Sequence, residues 1–248
     1  MPLPKIEVPK YELTIPSSGK QVKFRPFLVR EEKVLLIAME AEDDKQMVNA
    51  VKDIIANCVY DEVNVDNMPM FDIEYIFLQL RAKSKGETID LSFECEKCKT
   101  PIQVQVDLST IEVTKTEGHD TKIQLTDDIG IIMNYPSLAI QDIVTNKDNS
   151  DTDNIFETIN HCIDSIWDKE NVYAAKDHTT QELTEFIESL PDTAFEKLQK
   201  FFSTLPVLKH DIQLHCEAGK GKKKCNWKGT QTLEGLGSFF GEALVKNR

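Results

Sequence analysis

Residues 89–106 read Ile-Asp-Leu-Ser-Phe-Glu-Cys-Glu-Lys-Cys-Lys-Thr-Pro-Ile-Gln-Val-Gln-Val. Apolar side chains alternate on both sides of Cys95 and Cys98, which predicts two antiparallel strands joined by a tight loop. A Cys-x-x-Cys loop lets two sulfurs converge on one metal ion. This stretch therefore predicts a β-hairpin with half of a metal site at its tip.

A second cysteine pair, Cys216 and Cys225, lies at the tip of another predicted hairpin near the end of the chain. Two such tips would supply the four tetrahedral thiolates that structural zinc prefers. Residues 99–215 separate the two pairs, so a shared site would join distant segments of the chain. We predict one structural zinc ion bound by Cys95, Cys98, Cys216 and Cys225.

Two other interpretations of the cysteines remain open. A redox Cys-x-x-Cys precedes a helix, whose N-terminus lowers the pKa of the thiol, whereas strands are predicted on both sides here. The pairs could also be unrelated, reduced and unliganded. His215 is a poor ligand because strand alternation directs it away from Cys216. The lysine-rich loop 219–224 is either solvated or offsets the negative charge of a zinc tetrathiolate.

The whole chain predicts an α+β fold, a helical body with several β-hairpins, two of which join as a split zinc-ribbon-like module. The expected segments are an N-terminal arm and hairpin, a helical segment, the Cys-x-x-Cys hairpin with short strands, a second helical segment, and the second cysteine hairpin with a C-terminal helix. Their bounds are 1–28, 29–86, 87–137, 138–206 and 207–248. We expect one compact domain, with the zinc module formed by 87–108 and 209–232.

Several helical details follow from spacing and capping. Apolar residues at helical intervals from Ile155 predict a helix that ends near Trp167. Thr179 precedes Glu182 by three residues, which is the spacing of a capping box. Residues 233–245 predict a glycine-rich amphipathic helix. Cys58 and Cys162 lie alone within helical patterns, and we interpret both as small core residues.

The composition limits the possible functions. The 29 Lys and Arg residues against 42 Asp and Glu residues give a formal net charge of −13. This charge argues against binding to nucleic acid or to an anionic membrane surface, because both need a positive field. The longest apolar run, residues 34–39, is far too short to span a bilayer. The opening residues have no apolar segment typical of a secretion signal, so we expect reduced thiols.

The sequence contains none of the common short motifs of enzymes. Phosphate-binding and dinucleotide-binding glycine loops, zinc-protease His-Glu-x-x-His and the Gly-x-Ser-x-Gly nucleophile turn are all missing. The five histidines are scattered. We expect a protein that is not an enzyme.

Taken together, the chain resembles the baseplate hub assembly proteins of T-even-type contractile-tailed phages. Three segments carry the resemblance in this order: residues 2–9 before the first hairpin, the knuckle 93–98, and residues 233–240 after the second cysteine hairpin. The family pattern has a compact Cys-x-x-Cys in both hairpins, and the eight residues between Cys216 and Cys225 depart from it.

The resemblance implies a non-enzymatic assembly factor, a chaperone or scaffold, for the tail baseplate hub and the tape-measure protein. It also implies action in the host cytoplasm and absence from the mature virion. A stoichiometric structural subunit of the hub is the alternative, and a zinc-ribbon nucleic-acid adaptor is a further one, against which the acidic charge counts. Two apolar faces are candidates for docking a partner, the helix spanning 195–202 and the residues 236–240. For both, packing into the protein's own core is the competing interpretation.

Overall fold

The structure is a computed structural model that describes residues 6–41, 43–140, 151–219 and 224–235. The chain forms two compact units. Unit 1 comprises Met1–Val63, Phe71–Thr114 and Val207–Arg248, and unit 2 comprises Asn64–Met70 and Lys115–Pro206. The mixture of helices and β-hairpins confirms the predicted α+β class.

Unit 1 begins with the predicted hairpin, formed by strands β1 (Tyr11–Thr14) and β2 (Gln21–Phe24). Helices α1 (Val29–Glu40), α2 (Asp44–Cys58) and α3 (Met70–Lys85) follow. The alternation of β2 directs Val22 and Phe24 inward, where both are buried. Other members of this core come from the last two helices: Ile54, Ile55, Cys58, Ile73, Ile76, Phe77, Leu78 and Leu80.

A buried ion pair fixes the start of α1. Arg25 Nη2 donates to Glu31 Oε1 over 2.9 Å, and both side chains are buried. Glu31 Oε2 also accepts the backbone N–H of Leu28 over 2.7 Å. Burial by itself would raise the pKa of Glu31, but hydrogen bonds from Arg25, Arg30 and Leu28 outweigh it and lower the pKa to about 2. The carboxylate is therefore charged at neutral pH, and it satisfies both the guanidinium and the helix terminus.

The two predicted cysteine hairpins are present in unit 1. Strands β3 (Thr88–Glu94) and β4 (Pro101–Asp107) pair antiparallel around the first tip. Strand β5 (Val113–Thr114) joins a three-stranded sheet in the order β11, β10, β5, where β10 is Val207–Cys216 and β11 is Trp227–Glu234. The side of β10 that faces the core carries Leu208, Ile212, Leu214 and Cys216, all buried.

Unit 2 contains a four-stranded antiparallel sheet. Its strands are β6 (Lys122–Gln124), β7 (Gly130–Met133), β8 (Ile163–Trp167) and β9 (Val172–Ala174), paired in that order. Trp167 of β8 lies opposite Gly130, and a Cβ atom at that glycine would lie only 2.1 Å from the indole ring. The glycine therefore provides the space into which the indole packs.

Helices α4 (Asp151–Cys162), α5 (Thr180–Glu188) and α6 (Asp192–Ser203) pack with this sheet. The capping box is confirmed: the backbone N–H of Glu182 donates to Thr179 Oγ1, and the Glu182 carboxylate accepts the Thr179 N–H. In α6, Leu198 and Phe201 lie in the core of the unit. The apolar face of residues 195–202 is therefore engaged in core packing.

The sequence-based boundary of the helix that ends near Trp167 is wrong. Helix α4 ends at Cys162, and the next five residues form β8. The β-branched Ile163 and Ile166 suit a pleated surface, and β8 pairs with β7 and β9 on its two sides. The spacing of Ile163 and Ile166 is compatible with a helix as well. Pairing with two neighbouring strands outweighs that preference and makes the segment a strand.

The predicted C-terminal helix at 233–245 lies outside the described residues from position 236 onward. Its first two residues, Leu233 and Glu234, belong to strand β11 instead, with Leu233 buried and paired with His210. In the part of the chain that the structure describes, the helices lack the length and apolarity needed to cross a membrane.

Candidate metal centre

The tips of the two cysteine hairpins meet in unit 1. Strand β10 packs beside β4, which places the two tips side by side. The sulfur atoms of Cys95, Cys98, Cys216 and Cys225 all lie within 4.8 Å of one another. Cys95 Sγ is 3.7 Å from Cys225 Sγ, and Cys98 Sγ is 3.5 Å from Cys216 Sγ. The structure thus brings together all four residues that the sequence singled out.

These distances fit a four-sulfur metal site. With metal–sulfur bonds of about 2.3 Å, the edges of a regular tetrahedron are about 3.8 Å. A disulfide would need sulfurs about 2.05 Å apart, and all four cysteines have free thiols. Strands β3 and β4 flank the Cys-x-x-Cys, in contrast to the helix that follows a redox-active one. The four thiols could therefore bind one metal ion.

The two tips share one backbone feature, although their hydrogen bonds differ. The backbone N–H of Lys99 donates to the carbonyl of Cys95 over 2.8 Å, and Lys99 has a φ of 60°. In the second tip, the N–H of Cys225 donates to the carbonyl of Ala218 over 2.8 Å, and Asn226 has a φ of 49°. A left-handed residue follows the second cysteine of each pair. Each hairpin therefore turns sharply just after its second cysteine.

The pKa values show how the sulfurs compete for negative charge. Hydrogen bonding with the side chain and backbone of Thr100 lowers the pKa of Cys98 to about 6. At Cys216 the backbone N–H of Ala218 lowers the pKa, but desolvation and the other three sulfurs outweigh it and raise the pKa to about 12. Four sulfurs this close can all ionise only if a cation offsets their charge. A divalent ion would supply that charge.

Glu217 pairs with two charged or ionisable groups next to the second cysteine pair, while Lys97 Nζ donates to the carbonyl of Cys225 over 3.5 Å. His215 Nδ1 lies 3.8 Å from Glu217 Oε1, and Lys224 Nζ lies 3.5 Å from Glu217 Oε2. Along β10 His215 is exposed and Cys216 is buried, so their side chains lie on opposite faces of the strand. This alternation keeps the imidazole away from the sulfurs, as the sequence predicted. Residues 220–223 of the lysine-rich loop lie outside the described chain.

Cys58 and Cys162 are core residues, as predicted. Both are fully buried, and burial raises the pKa of Cys58 to about 11 and that of Cys162 to about 12. Neither belongs to the sulfur cluster.

Sequence reasoning missed the residues that shape the site around its ligands. Thr100, whose Oγ1 lies 3.3 Å from Cys98 Sγ, gave no recognisable signal. Asn226 did carry a recognisable signal, because asparagine tolerates left-handed backbone and this asparagine directly follows Cys225. Lys99 adopts the same backbone region although its residue type does not favour it.

The chain was also compared with known proteins. A family model described as "T4 bacteriophage base plate protein" matches residues 8–241. The comparisons with curated proteins and with solved structures gave no match.

Proposed function

Because the chain belongs to the T4 bacteriophage base plate protein family, we propose that it acts as a non-enzymatic assembly factor for the tail baseplate hub and the tape-measure protein. The family match over residues 8–241 is the observation that carries the wider part of the proposal, a baseplate protein. The wider function, a role in a phage baseplate with baseplate partners, follows from the family. The narrower function, transient help during assembly in the host cytoplasm, is the part to be tested.

The metal centre supports a structural contribution within this role. We propose that Cys95, Cys98, Cys216 and Cys225 bind one zinc ion as thiolates. Four thiolates complete a tetrahedral shell, so no position is left for water or a substrate. The site would connect the Cys-x-x-Cys hairpin to the end of the chain and hold unit 1 together. A metal used in this way stabilises a binding surface and performs no chemistry.

The net charge supports a protein partner over a nucleic acid. A formal charge of −13 disfavours phosphate backbones. The chain would instead bind hub and tape-measure proteins through apolar and hydrogen-bonding surfaces, as chaperones bind their clients. The nucleic-acid adaptor would require DNA retention that falls steeply with salt, which a filter-binding titration measures.

The same family description favours a second candidate, a stoichiometric structural subunit of the hub. Mass analysis of purified virions and of lysates from the same infection separates the two. The assembly factor should be abundant in the lysate, recovered with hub intermediates, and missing from virions. A fixed copy number per virion would overturn the assembly proposal and establish the structural one.

A further inference from the structure

One edge of the unit 2 sheet is open among the described residues. Strand β9 is the last strand of the sheet and pairs only with β8. Two of its side chains are unusually exposed for large apolar groups: Val172 keeps 71% and Tyr173 40% of its full accessible surface. Native proteins usually protect such an edge with charge, proline or a covering segment.

The hydrogen-bond pattern shows which backbone groups the edge offers. In the turn that joins the strands, the N–H of Asp168 donates to the carbonyl of Asn171 over 3.0 Å. Hydrogen-bonded and non-hydrogen-bonded pairs alternate along an antiparallel ladder. The pair Ile166–Tyr173 is therefore the next hydrogen-bonded pair. Val172 consequently directs its N–H and C=O, and Ala174 its N–H, away from β8 toward the open edge, while the Ala174 carbonyl caps the 3-10 helix Ala175–Asp177.

An apolar pocket lies directly beside this edge. It has a volume of about 260 Å³ and lies between the sheet and helix α5, with apolar lining from Ile129, Ile166, Trp167, Tyr173, Leu183 and Phe186. A strand added next to β9 would place the residue opposite Tyr173 on the pocket side of the sheet. Trp167 Nε1, in the same wall, is a buried donor without a partner among the described residues.

The rim of the pocket is acidic. Asp168 and Glu182 both contribute to the lining, together with His178, whose Nδ1 lies 3.8 Å from Glu182 Oε2. Backbone N–H groups of Glu170 and Asn171 and the Tyr173 hydroxyl lower the pKa of Asp168. The backbone and hydroxyl of Thr179 likewise lower the pKa of Glu182. Both carboxylates therefore stay charged near neutral pH and favour a basic residue in an occupant.

We propose that β9 binds an extended segment of a partner protein by strand addition, with an aromatic side chain in the pocket and lysine or arginine two residues away. Side chains two residues apart lie on the same face of a strand, which directs the basic groups to the acidic rim. Backbone bonds to Val172 and Ala174 would provide affinity, and the pocket would provide specificity. The identification of that partner as a baseplate component rests on the proposed function.

A synthetic peptide tests the inference with the full chain. The probe is fluorescein-labelled Thr-Lys-Thr-Phe-Thr-Lys-Thr, and the readout is fluorescence anisotropy. We expect saturable binding that weakens at least about tenfold when the peptide phenylalanine becomes alanine or both lysines become glutamate. Equal binding of these three peptides would overturn the proposal.

Protein variants test the backbone bonds separately. Val172→Pro removes a donor on the open side, a position where an edge strand tolerates proline, and should weaken binding at least about tenfold. The matched control Val172→Thr keeps the donor and should bind like the unaltered chain. If Val172→Pro fails to fold, a peptide N-methylated at both threonines beside the phenylalanine tests the same bonds. Full binding in either test refutes strand addition.

Hydrogen exchange on the free protein tests whether another part of this chain already covers the edge of β9. The amides of Val172 and Ala174 should exchange quickly, while that of Tyr173 should be protected. Protection of all three, together with no peptide binding, would show that another part of this chain occupies the edge and would overturn the partner assignment. Stoichiometric protein in virions would refute the assembly factor and leave the peptide result intact.

Discussion

Replacing Cys98 with serine should release the metal and destabilise unit 1 well beyond a packing effect. The Cys98 side chain is exposed, so the substitution removes a ligand and little buried surface. Cys95, in contrast, is fully buried, so its replacement would combine loss of the metal with loss of packing. Cys98→Ser is therefore the cleaner test of the metal site.

The size of the effect follows from the loop that the proposed zinc ion would close. Cys98 and Cys216 are 118 residues apart in the sequence. In the chain-entropy treatment of cross-links, closing a loop of this length stabilises the folded state by about 5 kcal/mol at 25 °C. This value is an upper bound, because unfolded chains with free thiolates also bind metal. It corresponds to a decrease in Tm of roughly 10–20 °C.

Urea unfolding with and without a chelator measures this effect. Trp227 pairs with Cys216 in the sheet, so in a Trp167→Phe background its fluorescence reports on the hairpin that holds the second cysteine pair. Chelation should destabilise the unaltered chain and leave Cys98→Ser unchanged. The control Cys58→Ala should keep both its zinc and its response to chelator. Purified chain without zinc by elemental analysis, or a Cys98→Ser midpoint equal to that of the unaltered chain, would refute the reasoning.

Three further substitutions or treatments test other parts of the fold. Glu31 has a pKa of about 2 instead of 4.5. Its ionised form therefore contributes about 3 kcal/mol to the free energy of unfolding above pH 4.5, and this contribution is lost as the pH falls toward 2. Glu31→Gln should remove this pH dependence from acid-unfolding curves. Gly130→Ala should displace the Trp167 indole, seen as a shift in emission and a lower Tm, whereas an unchanged spectrum would contradict the close packing. In chelated folded protein the exposed Cys98 thiol, with a pKa of about 6, should react fastest with a thiol reagent, whereas Cys58 and Cys162 should react only after unfolding because both are fully buried; fast reaction of Cys58 or Cys162 would contradict this.

Local patterns in the sequence determined most of the elements near the candidate metal centre. The alternation around Cys95 and Cys98 predicted the hairpin β3–β4, because each residue's direction depends only on its neighbours in the strand. The capping box at Thr179 was readable for the same reason, since its partner is three residues away. In both cases the interacting residues are close in sequence.

The tertiary structure decided what depends on distant partners. Residues 163–167 satisfy helical spacing as well as strand pattern, and only pairing with β7 and β9 on both sides makes them a strand. The open edge at Val172 exists because of that same sheet. Likewise, the sequence supplied two cysteine pairs, but their convergence within 4.8 Å requires β10 to pack beside β4. Contacts across more than a hundred residues depend on packing of the whole unit, which local periodicity does not encode.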